Sequence, residues 1–394
     1  MRRTVKDLLV DIKDTSEIVV DLAYSALLFD NEDIAEEVLD LENILSEMLK
    51  QMRIVSILSA RRVDEAESVS TILQIATAAQ KLGSSAGDIA SLVLRGFKLP
   101  KDVVRLILRH SEETAAKARV SEDSEIAEKT LGEVRLHTRT GMRVIAIKRG
   151  FDWIFNPDRE SKILKGDTLF ARGDITGLPS FYEIVSGEKI TFHEEEFELE
   201  LEDLDNAVDT VIEMKDLSEL AVDLSYSSLL YQNEDVAHEV IYLEEKLDNL
   251  KYDLRHWVLK SSKKVSDENL KGLIALLELS TASENIADAA RDIAEIVVEK
   301  MELHPIFMEA MKETDEVIVM IEVGKSCDLD GVTLGEAKVE TNTGMHVVAI
   351  KRDNRWITKP GATTKLSKGD LIIAKGTREG VDLLRNLCSV KLIT

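Results

Sequence analysis

The chain has 394 residues and a formal net charge of -24, and 44% of its residues are hydrophobic. So acidic a chain is unsuited to a nucleic-acid backbone or an anionic lipid surface as its main partner, since both select for clustered Lys and Arg. The longest apolar runs are too short to span a membrane, and the N-terminus has no continuous apolar stretch typical of a secretory signal. The sequence therefore predicts a soluble cytoplasmic protein.

Helical periodicity dominates the beginning of the chain. Over residues 5–58 apolar residues recur every three or four positions, with a break at FDNED, which predicts two long helices joined by a turn. A third helix is predicted over residues 64–97. A shorter fourth helix is predicted from Pro100, because Pro suits the first turn of a helix. Together these helices predict an antiparallel bundle with short loops.

The pattern changes after about Ala118. The segments EVRLHT, RVIAIKR, DWIF and DTLFARG are short and β-branched or aromatic, and Gly, Pro and Asp separate them, which predicts strands joined by turns. A short final helix is predicted at IVSGE, residues 184–188. The acidic run that follows is predicted to be a solvated linker, as such charge runs usually are.

The second half of the chain repeats the first. TGMRVIAIKR, from Thr140, returns as TGMHVVAIKR from Thr343, an offset of 203 with eight of ten residues identical. DLAYSALLFDNEDIAEEV, from Asp21, returns as DLSYSSLLYQNEDVAHEV from Asp223, an offset of 202 with twelve of eighteen identical. Two matches at nearly one spacing indicate an internal duplication of about half the chain.

The predicted fold class is therefore α+β, with two antiparallel helical bundles alternating with two small α/β domains. The predicted units are a bundle at 1–118, a strand-rich domain at 119–190, an acidic linker at 191–203, a bundle at 204–314 and a strand-rich domain at 315–394. The two strand-rich domains differ at one edge. ETAAKARV in the first stands where DEVIVMIEV stands in the second, so the first edge strand is expected to be missing or helical.

The strand-rich domains resemble a known family. TLGEVRLHTRTGMRVIAIKRG and TLGEAKVETNTGMHVVAIKRD, each followed by a Pro and then by KGDTLFARG or KGDLIIAKG, resemble the TrkA-C domain, the C-terminal regulatory domain of potassium-conductance regulators. The resemblance implies a cytosolic regulatory protein of cation transport, potassium in particular, that senses a small ligand or ion and acts on a separate membrane transporter or channel. Such regulators usually carry a Rossmann domain as well. No GxGxxG motif between a strand and a helix occurs here, so NAD or ATP is not expected to bind in that way.

The helical bundles resemble the PhoU fold, through LLYQNEDVAHEV and SENIADAARDIAE. PhoU proteins bind metal ions through ExxxD motifs, and the resemblance assigns this role to Glu219, Asp223, Glu284 and Asp288. Residues four apart share one face of a helix. Two such helices facing each other would bring four carboxylates together around a divalent metal ion. The alternative is ordinary pairing of these carboxylates with Lys or Arg.

The first bundle departs from the PhoU pattern. It keeps Glu17 and Asp21, but Gln80 and Ser84 occupy the positions equivalent to the other two carboxylates. A metal site in the first bundle is therefore not expected.

A basic pair ends the strand AIKR in each strand-rich domain. In some proteins that these domains resemble, two TrkA-C domains pair around a cyclic dinucleotide, with an Arg near the phosphate. That role falls on Arg149 and Arg352, since a guanidinium can form a two-pronged hydrogen bond to phosphate. The alternative is that both are solvated strand ends.

Catalysis is not predicted, because no GxSxG, P-loop, HExxH or Cys-His signature occurs. The two cysteines, Cys327 and Cys388, lie far from any spacing typical of a disulfide framework or zinc site. Three functions remain open: a ligand-sensing regulator of cation transport, a PhoU-like metal-binding regulator of phosphate uptake, and a dimerising scaffold. The TrkA-C copies would pair within one chain or between two chains. The unequal edge strands favour a homodimer joined through the second copies.

Overall fold

The computed structural model describes residues 4–28, 30–59, 63–99, 103, 113–150, 152–155, 157, 159–174, 177–189, 202–263, 270–314, 317–324, 327–353, 355–358 and 360–388. Within these residues the two halves of the chain fold alike. Each half is a three-helix bundle followed by a four-stranded antiparallel sheet with short helices.

The first half begins with a bundle of three long helices. They are α1 (Val5–Leu28), α2 (Glu32–Ser59) and α3 (Val63–Leu94). The sheet domain that follows comprises β1 (Glu113–Arg119), α4 (Leu131–Val134), α5 (Leu136–Thr140), β2 (Met142–Arg149), β3 (Asp152–Phe155), β4 (Thr168–Asp174) and α6 (Leu178–Val185). The strand order is β1-β4-β2-β3.

The second half repeats these elements. Its helices are α7 (Glu202–Tyr231), α8 (Glu234–Ser261), α9 (Leu270–Val298) and the short α10 (Pro305–Met311). Its sheet domain comprises β5 (Val317–Glu322), α11 (Leu334–Ala337), α12 (Val339–Thr343), β6 (Met345–Arg352), β7 (Arg355–Ile357), β8 (Leu371–Gly376) and α13 (Arg378–Cys388). The strand order is β5-β8-β6-β7.

The two bundles share one hydrophobic core. Apolar residues at helical spacing bury one stripe of each helix, and α3 packs along α9, which joins the bundles. The first helices of the bundles run antiparallel to each other. The Tyr24 hydroxyl on α1 lies 2.8 Å from Ser218 Oγ on α7, whereas Ser16 Oγ lies 3.2 Å from the Tyr226 hydroxyl. The two halves are therefore related by an approximate two-fold axis near the middle of α1 and α7.

Each sheet has one face on its own small core and the other on the bundles. On β4, Leu169 and Ala171 belong to the core of the sheet domain, whereas Phe170 belongs to the bundle core. Alternate residues of a strand point to opposite faces, so Arg172 shares the bundle side with Phe170. The same alternation applies to β8.

Three expectations from the sequence are wrong. EVRLHT is not a strand, because the Thr130 side chain and Glu133 form a capping box that starts α4, and α5 follows directly. The first edge strand is neither missing nor helical, since β1 pairs antiparallel with β4 over its whole length. The asymmetry that favoured a homodimer through the second copies therefore disappears. The final helix of the first half is α6, which begins before IVSGE.

Two further expectations fall largely outside the described residues. The predicted fourth helix covers residues 100–118, of which 113–118 belong to β1 and only Val103 is otherwise described. The predicted linker at 191–203 is described only from 202, where α7 begins. The domain boundaries stay predictions. Among the described helices, none is both long and apolar enough to cross a membrane.

Candidate functional site

A charged cavity of about 60 Å³ lies where the two bundles meet the two sheets. Its walls come from α1 and α7 and from the bundle-facing side of both sheets. The charged and polar residues that line it are Glu17, Asp21, Arg143, Arg172, Glu219, Asp223, Glu340, His346 and Lys375. The cavity therefore lies near the approximate two-fold axis, at the junction of all four units.

Arg172 connects the first sheet to both bundles. Its guanidinium donates to Asp21 Oδ1 on α1 and to Glu219 Oε2 on α7, each at 3.0 Å. Lys215, one helical turn before Glu219, lies 2.8 Å from the other oxygen of that carboxylate. These side chains are largely shielded from solvent. A single side chain of β4 thus bridges the two halves of the molecule.

Lys375 makes the matching contact from the second sheet. It occupies the position on β8 that Arg172 occupies on β4, at the same offset of 203 residues. Its ammonium lies 2.8 Å from Asp223 Oδ2 on α7, and Asp223 is the equivalent of Asp21. Each sheet therefore contributes one cation to the ExxxD carboxylates of the helices.

The electrostatics of this junction follow from burial and from charge. Burial raises the pKa of Asp21, and the nearby Arg172 opposes this shift without cancelling it. Burial would also raise the pKa of Glu219, but Lys215 and Arg172 together hold it below its ordinary value. Burial disfavours the charged form of Lys215, yet Glu219 and Asp216 raise its pKa. The Glu219 and Lys215 pair is therefore ionised at neutral pH.

Tyr24 should lose its proton late in an alkaline titration. Its hydroxyl is buried within 2.8 Å of Ser218 and Ser283, and burial raises its pKa to about 12. The unfolded chain ionises tyrosine near pH 10, so the folded state binds more protons above that pH. The stabilisation that Tyr24 provides should be complete below pH 10 and decline between pH 10 and 12.

Ultraviolet absorbance of tyrosinate during a pH titration measures this behaviour directly. Tyr24→Phe should remove absorbance that otherwise appears near pH 12, and it should flatten the loss of stability above pH 10. A titration curve that Tyr24→Phe leaves unchanged in this range would contradict the buried position of the hydroxyl.

The four carboxylates predicted to bind metal separate into two groups. Glu219 and Asp223 contact the cations at the charged cavity, as described above. Glu284 on α9 lies 2.6 Å from Lys251 Nζ on α8, and Asp288 contacts Glu244, whose carboxylate accepts from Arg291 at 2.9 Å. Among the described residues no cluster of three or more His, Cys, Asp or Glu side chains is placed to hold a metal ion. Metal binding by these four residues stays a prediction.

In the first bundle the equivalent positions are engaged in other contacts. Lys13 Nζ lies 2.8 Å from Glu17 Oε2, which repeats the pair on α7. Gln80 donates from Nε2 to Ser46 Oγ at 3.2 Å, and Ser84 forms a hydrogen bond with Glu42.

The two arginines predicted to bind ligand brace a turn in each sheet domain. Arg149 donates from Nε and Nη2 to the Asp167 carboxylate at 3.0 and 2.9 Å, and Nη2 also donates to the Lys162 carbonyl at 2.6 Å. Arg352 makes the same contacts with Asp370, at 2.8 and 2.7 Å. Both aspartates are almost fully buried. Each guanidinium thus holds the Gly-Asp turn, and phosphate binding by either stays a prediction.

Sequence reasoning missed the cations that meet the ExxxD carboxylates. Arg172 and Lys375 lie near the ends of DTLFARG and DLIIAKG, each following an Ala of the sheet core by one residue. A charge repeated at one position of both strands, on the side opposite the sheet core, is a signal that could have identified them. The sequence alone does not say which helix they reach.

Within one chain the two sheet domains also touch each other. Arg159 Nη1 lies 2.7 Å from Glu379 Oε1, an exposed ion pair between them. His137 and Glu340, which are equivalent positions, approach to 3.8 Å. The two sheet domains therefore contact each other within a single chain, and whether the TrkA-C copies pair within one chain or between two stays a prediction.

Comparison with family models identifies the units of the chain. The TrkA-C domain model matches residues 116–186 and 318–389, and the PhoU domain model matches residues 211–297. The first matches cover both sheet domains, and the last lies within the second bundle. The first bundle has the same three-helix arrangement.

Several known proteins are similar to parts of this chain. Potassium channel protein 1 of Methanocaldococcus jannaschii is 29% identical over 108 residues, which is 25% of this chain and 32% of that protein. The match thus spans about a third of the relative's length. The RCK_C domain dimer of S. agalactiae BusR in complex with c-di-AMP is 24% identical, over 19% of this chain and 97% of that chain, with a TM-score of 0.18. PhoU from Pseudomonas aeruginosa is 13% identical, over 75% and 93%, with a TM-score of 0.40. The family models confirm the resemblance seen in the sequence: the TrkA-C domain model matches this α+β chain twice, and the PhoU domain model matches it once.

Proposed function

We propose that this protein regulates cation transport, potassium transport in particular, by sensing a small ligand and acting on a separate membrane transporter or channel. The matched families are regulatory domains, and the curated relative is a potassium channel protein. The observation that supports a regulatory role most directly is the contact of Arg172 and Lys375 with the helices. These cations couple each TrkA-C sheet to the bundle helices.

The coupling has a simple physical basis. Arg172 joins Asp21 on α1 to Glu219 on α7, so a shift of the first sheet would change an ion pair shared by both bundles. Paired charges that are shielded from water resist separation strongly, because each would be left without a partner. Ligand binding to the sheets would therefore be transmitted to the helices as a change in their relative position.

The charged cavity is too small to receive a nucleotide. About 60 Å³ holds a few water molecules, whereas small-molecule pockets usually measure roughly 300–1,000 Å³. A cyclic dinucleotide would have to bind elsewhere on the paired sheets, and Arg149 and Arg352 are the proposed contacts. Binding of the nucleotide there would then change the relative position of the bundle helices.

Native mass spectrometry of the whole chain, with and without cyclic dinucleotides, tests the proposed ligand. Arg352→Ala removes the guanidinium. Asp370→Asn weakens the same turn but keeps the Arg352 guanidinium. Loss of the nucleotide increment in the first variant alone would assign Arg352 to the ligand. Loss of the increment in both variants would mean that nucleotide binding depends on the intact turn. The absence of a nucleotide increment in the unaltered protein and in both variants would contradict nucleotide sensing.

The alternative is a PhoU-like metal-binding regulator of phosphate uptake. The PhoU domain match favours it, but Lys215, Lys251 and Lys375 contact three of the four candidate carboxylates. A divalent ion would have to displace these ammonium groups. Mass increments with added divalent metals that vanish in Glu284→Gln, Asp288→Asn would support this alternative.

Uptake by cells that lack the gene separates the proposals. Changed uptake of radioactive rubidium, a potassium substitute, with unchanged phosphate uptake would support regulation of potassium transport. The reverse result would favour the phosphate alternative, and no change in either would favour a scaffold. Complementation with the intact gene is the control.

A further inference from the structure

The second sheet domain brings the two cysteines of the chain close together. Cys327 and Cys388 are far apart in the sequence, and the chain has no other cysteine. Cys327 is a free cysteine in the loop between β5 and α11. It is 6% exposed and belongs to the apolar core of its domain. Its sulfur lies 3.6 Å from the carbonyl oxygen of Leu387, and Cys388 is the next residue and the last of α13. The two cysteine positions therefore adjoin each other at the end of this helix.

The backbone limits the distance between these positions. A carbonyl oxygen lies about 2.8 Å from the Cα atom of the next residue, so the Cα atom of Cys388 is within about 6.4 Å of the Cys327 sulfur. The Asp328 amide also donates to the Leu387 carbonyl, at 3.0 Å, which holds the loop against the helix end. Disulfide-linked residues usually have Cα atoms about 4.4–6.8 Å apart. A shift of no more than a few ångströms would bring the two positions to that distance.

Helical spacing places Cys388 on the buried face of α13. Val381 and Leu384 precede it by seven and four residues, and both belong to the core of the second sheet domain. Residues at these spacings share one face of a helix. Cys327 is part of the same core. Both cysteine positions thus lie on the side of the loop and of the helix that meets this core.

The first sheet domain has the same arrangement without cysteine. Ser124, the equivalent of Cys327, donates from Oγ to the Ile184 carbonyl at 2.8 Å, and Ile184 is the equivalent of Leu387. Val185 is the equivalent of Cys388, and it is the last residue of α6 and fully buried. Where one copy has a serine and a valine at adjoining positions, the other copy therefore has two cysteines.

We propose that Cys327 and Cys388 form a reversible disulfide when the protein meets hydrogen peroxide, which makes the second sheet domain responsive to oxidation. One thiol reacts with the peroxide to give a sulfenic acid and water. The second thiol attacks that sulfur, so that the S–S bond forms and the sulfenic oxygen leaves as a second molecule of water. The two sulfurs together lose two electrons, and the peroxide gains them. A dithiol reductant reverses the bond by thiol–disulfide exchange.

The disulfide would fix the end of α13. This helix packs against α12 and β5, and the bond would join its last residue to the loop that follows β5. A cross-link of this kind limits the opening of the segments that it joins. In a cytoplasmic protein, as the sequence predicts, disulfides are usually transient and redox-sensing, because other thiols keep them reduced. The first sheet domain would not respond in this way, since it has no cysteine.

Alkylation of the whole, reduced chain tests the proposal. The protein is treated with hydrogen peroxide, quenched, unfolded and alkylated with iodoacetamide, and its peptides are analysed by mass spectrometry without reduction. Both thiols should become unreactive together, and a peptide pair linked through Cys327 and Cys388 should appear. Dithiothreitol should restore both thiols.

A variant with two thiols in different domains is the matched control. Cys327→Ser with Ser124→Cys keeps two cysteines but moves one of them to the equivalent position of the first sheet domain. Its linked peptide should form at least about tenfold more slowly than that of the unaltered protein, because the proximity of the two thiols is lost.

Hydrogen exchange of the unaltered protein needs no variant. In the oxidised form the backbone amides of α13 should exchange about tenfold or more slowly than in the reduced form, because the bond limits opening of the helix end. The equivalent helix, α6, is the internal control and should exchange at the same rate in both forms. Reduction should reverse the difference.

The contrary outcomes are distinct. Two thiols that stay reactive after peroxide treatment would overturn the proposal, as would sulfinic acid at either cysteine without a linked peptide. A linked peptide found only in covalent dimers on a non-reducing gel would assign the bond to two chains and overturn pairing within the second sheet domain. Equal rates of linkage in the unaltered protein and in the control would mean that the fold does not bring the pair together, and would overturn it as well.

Discussion

Replacing Arg172 with Ala is expected to lower the free energy of unfolding by about 3 kcal/mol, because two shielded carboxylates then lose their shared cation. Asp21 and Glu219 would repel each other across the junction of the bundles. Urea denaturation followed by circular dichroism measures the change. The effect should be smaller in acid, where protonation of the carboxylates removes the repulsion.

Arg159→Ala is the matched control for this variant. Arg159 also joins two units of the chain, but its pair with Glu379 is exposed at both side chains. Exposed ion pairs contribute about 0–1 kcal/mol, so this variant should remain close to the unaltered protein. Similar losses in the two variants would contradict a special role for the buried junction.

Lys375→Glu is expected to lower the free energy of unfolding at least as much as Arg172→Ala does. The substitution places a carboxylate next to Asp223, in a site where the ammonium now lies 2.8 Å away and both side chains are mostly shielded. We expect a loss of about 3–5 kcal/mol, typical of breaking a buried pair, which thermal denaturation would register as a large drop in midpoint temperature.

The charge swap distinguishes a specific pair from general crowding. Asp223→Lys alone should also destabilise, and the double variant with Lys375→Glu should recover part of the loss. A double-mutant cycle should give a coupling of about 1–3 kcal/mol. Additive losses in the cycle would mean that the two side chains do not act on each other.

The sequence predicts much of the fold because the duplication provides two copies of each element, and the two patterns can be compared. The long helices end within a few residues of the predicted positions, since apolar spacing and the turn at FDNED are local signals. EVRLHT misled because its β-branched and apolar residues suggest a strand, whereas Thr130 and Glu133 cap a helix. ETAAKARV misled because Ala is uncommon in strands, yet β4 supplies a hydrogen-bonding partner along its full length.

For the candidate site, the sequence predicts the carboxylates but not the cations that they contact. The ExxxD carboxylates are visible in the sequence, and pairing with Lys or Arg was one of the two alternatives for them. The partner itself depends on tertiary structure, since Arg172 and Asp21 are 151 residues apart and meet only when a sheet folds against a helix. Arg149 and Asp167 are likewise 18 residues apart in the sequence, and they come into contact only when the sheet domain folds.

Fusion of the two halves has an evolutionary consequence. In a dimer of identical chains every substitution appears on both sides of the axis, so the central site stays symmetric. Here one gene encodes both sides, and they have already diverged: Arg143 faces the cavity in one half and His346 in the other. The two halves cannot separate on dilution, because they belong to one chain. Each half can also acquire substitutions that the other half lacks. Such a protein can evolve to recognise a signal molecule whose own two ends differ.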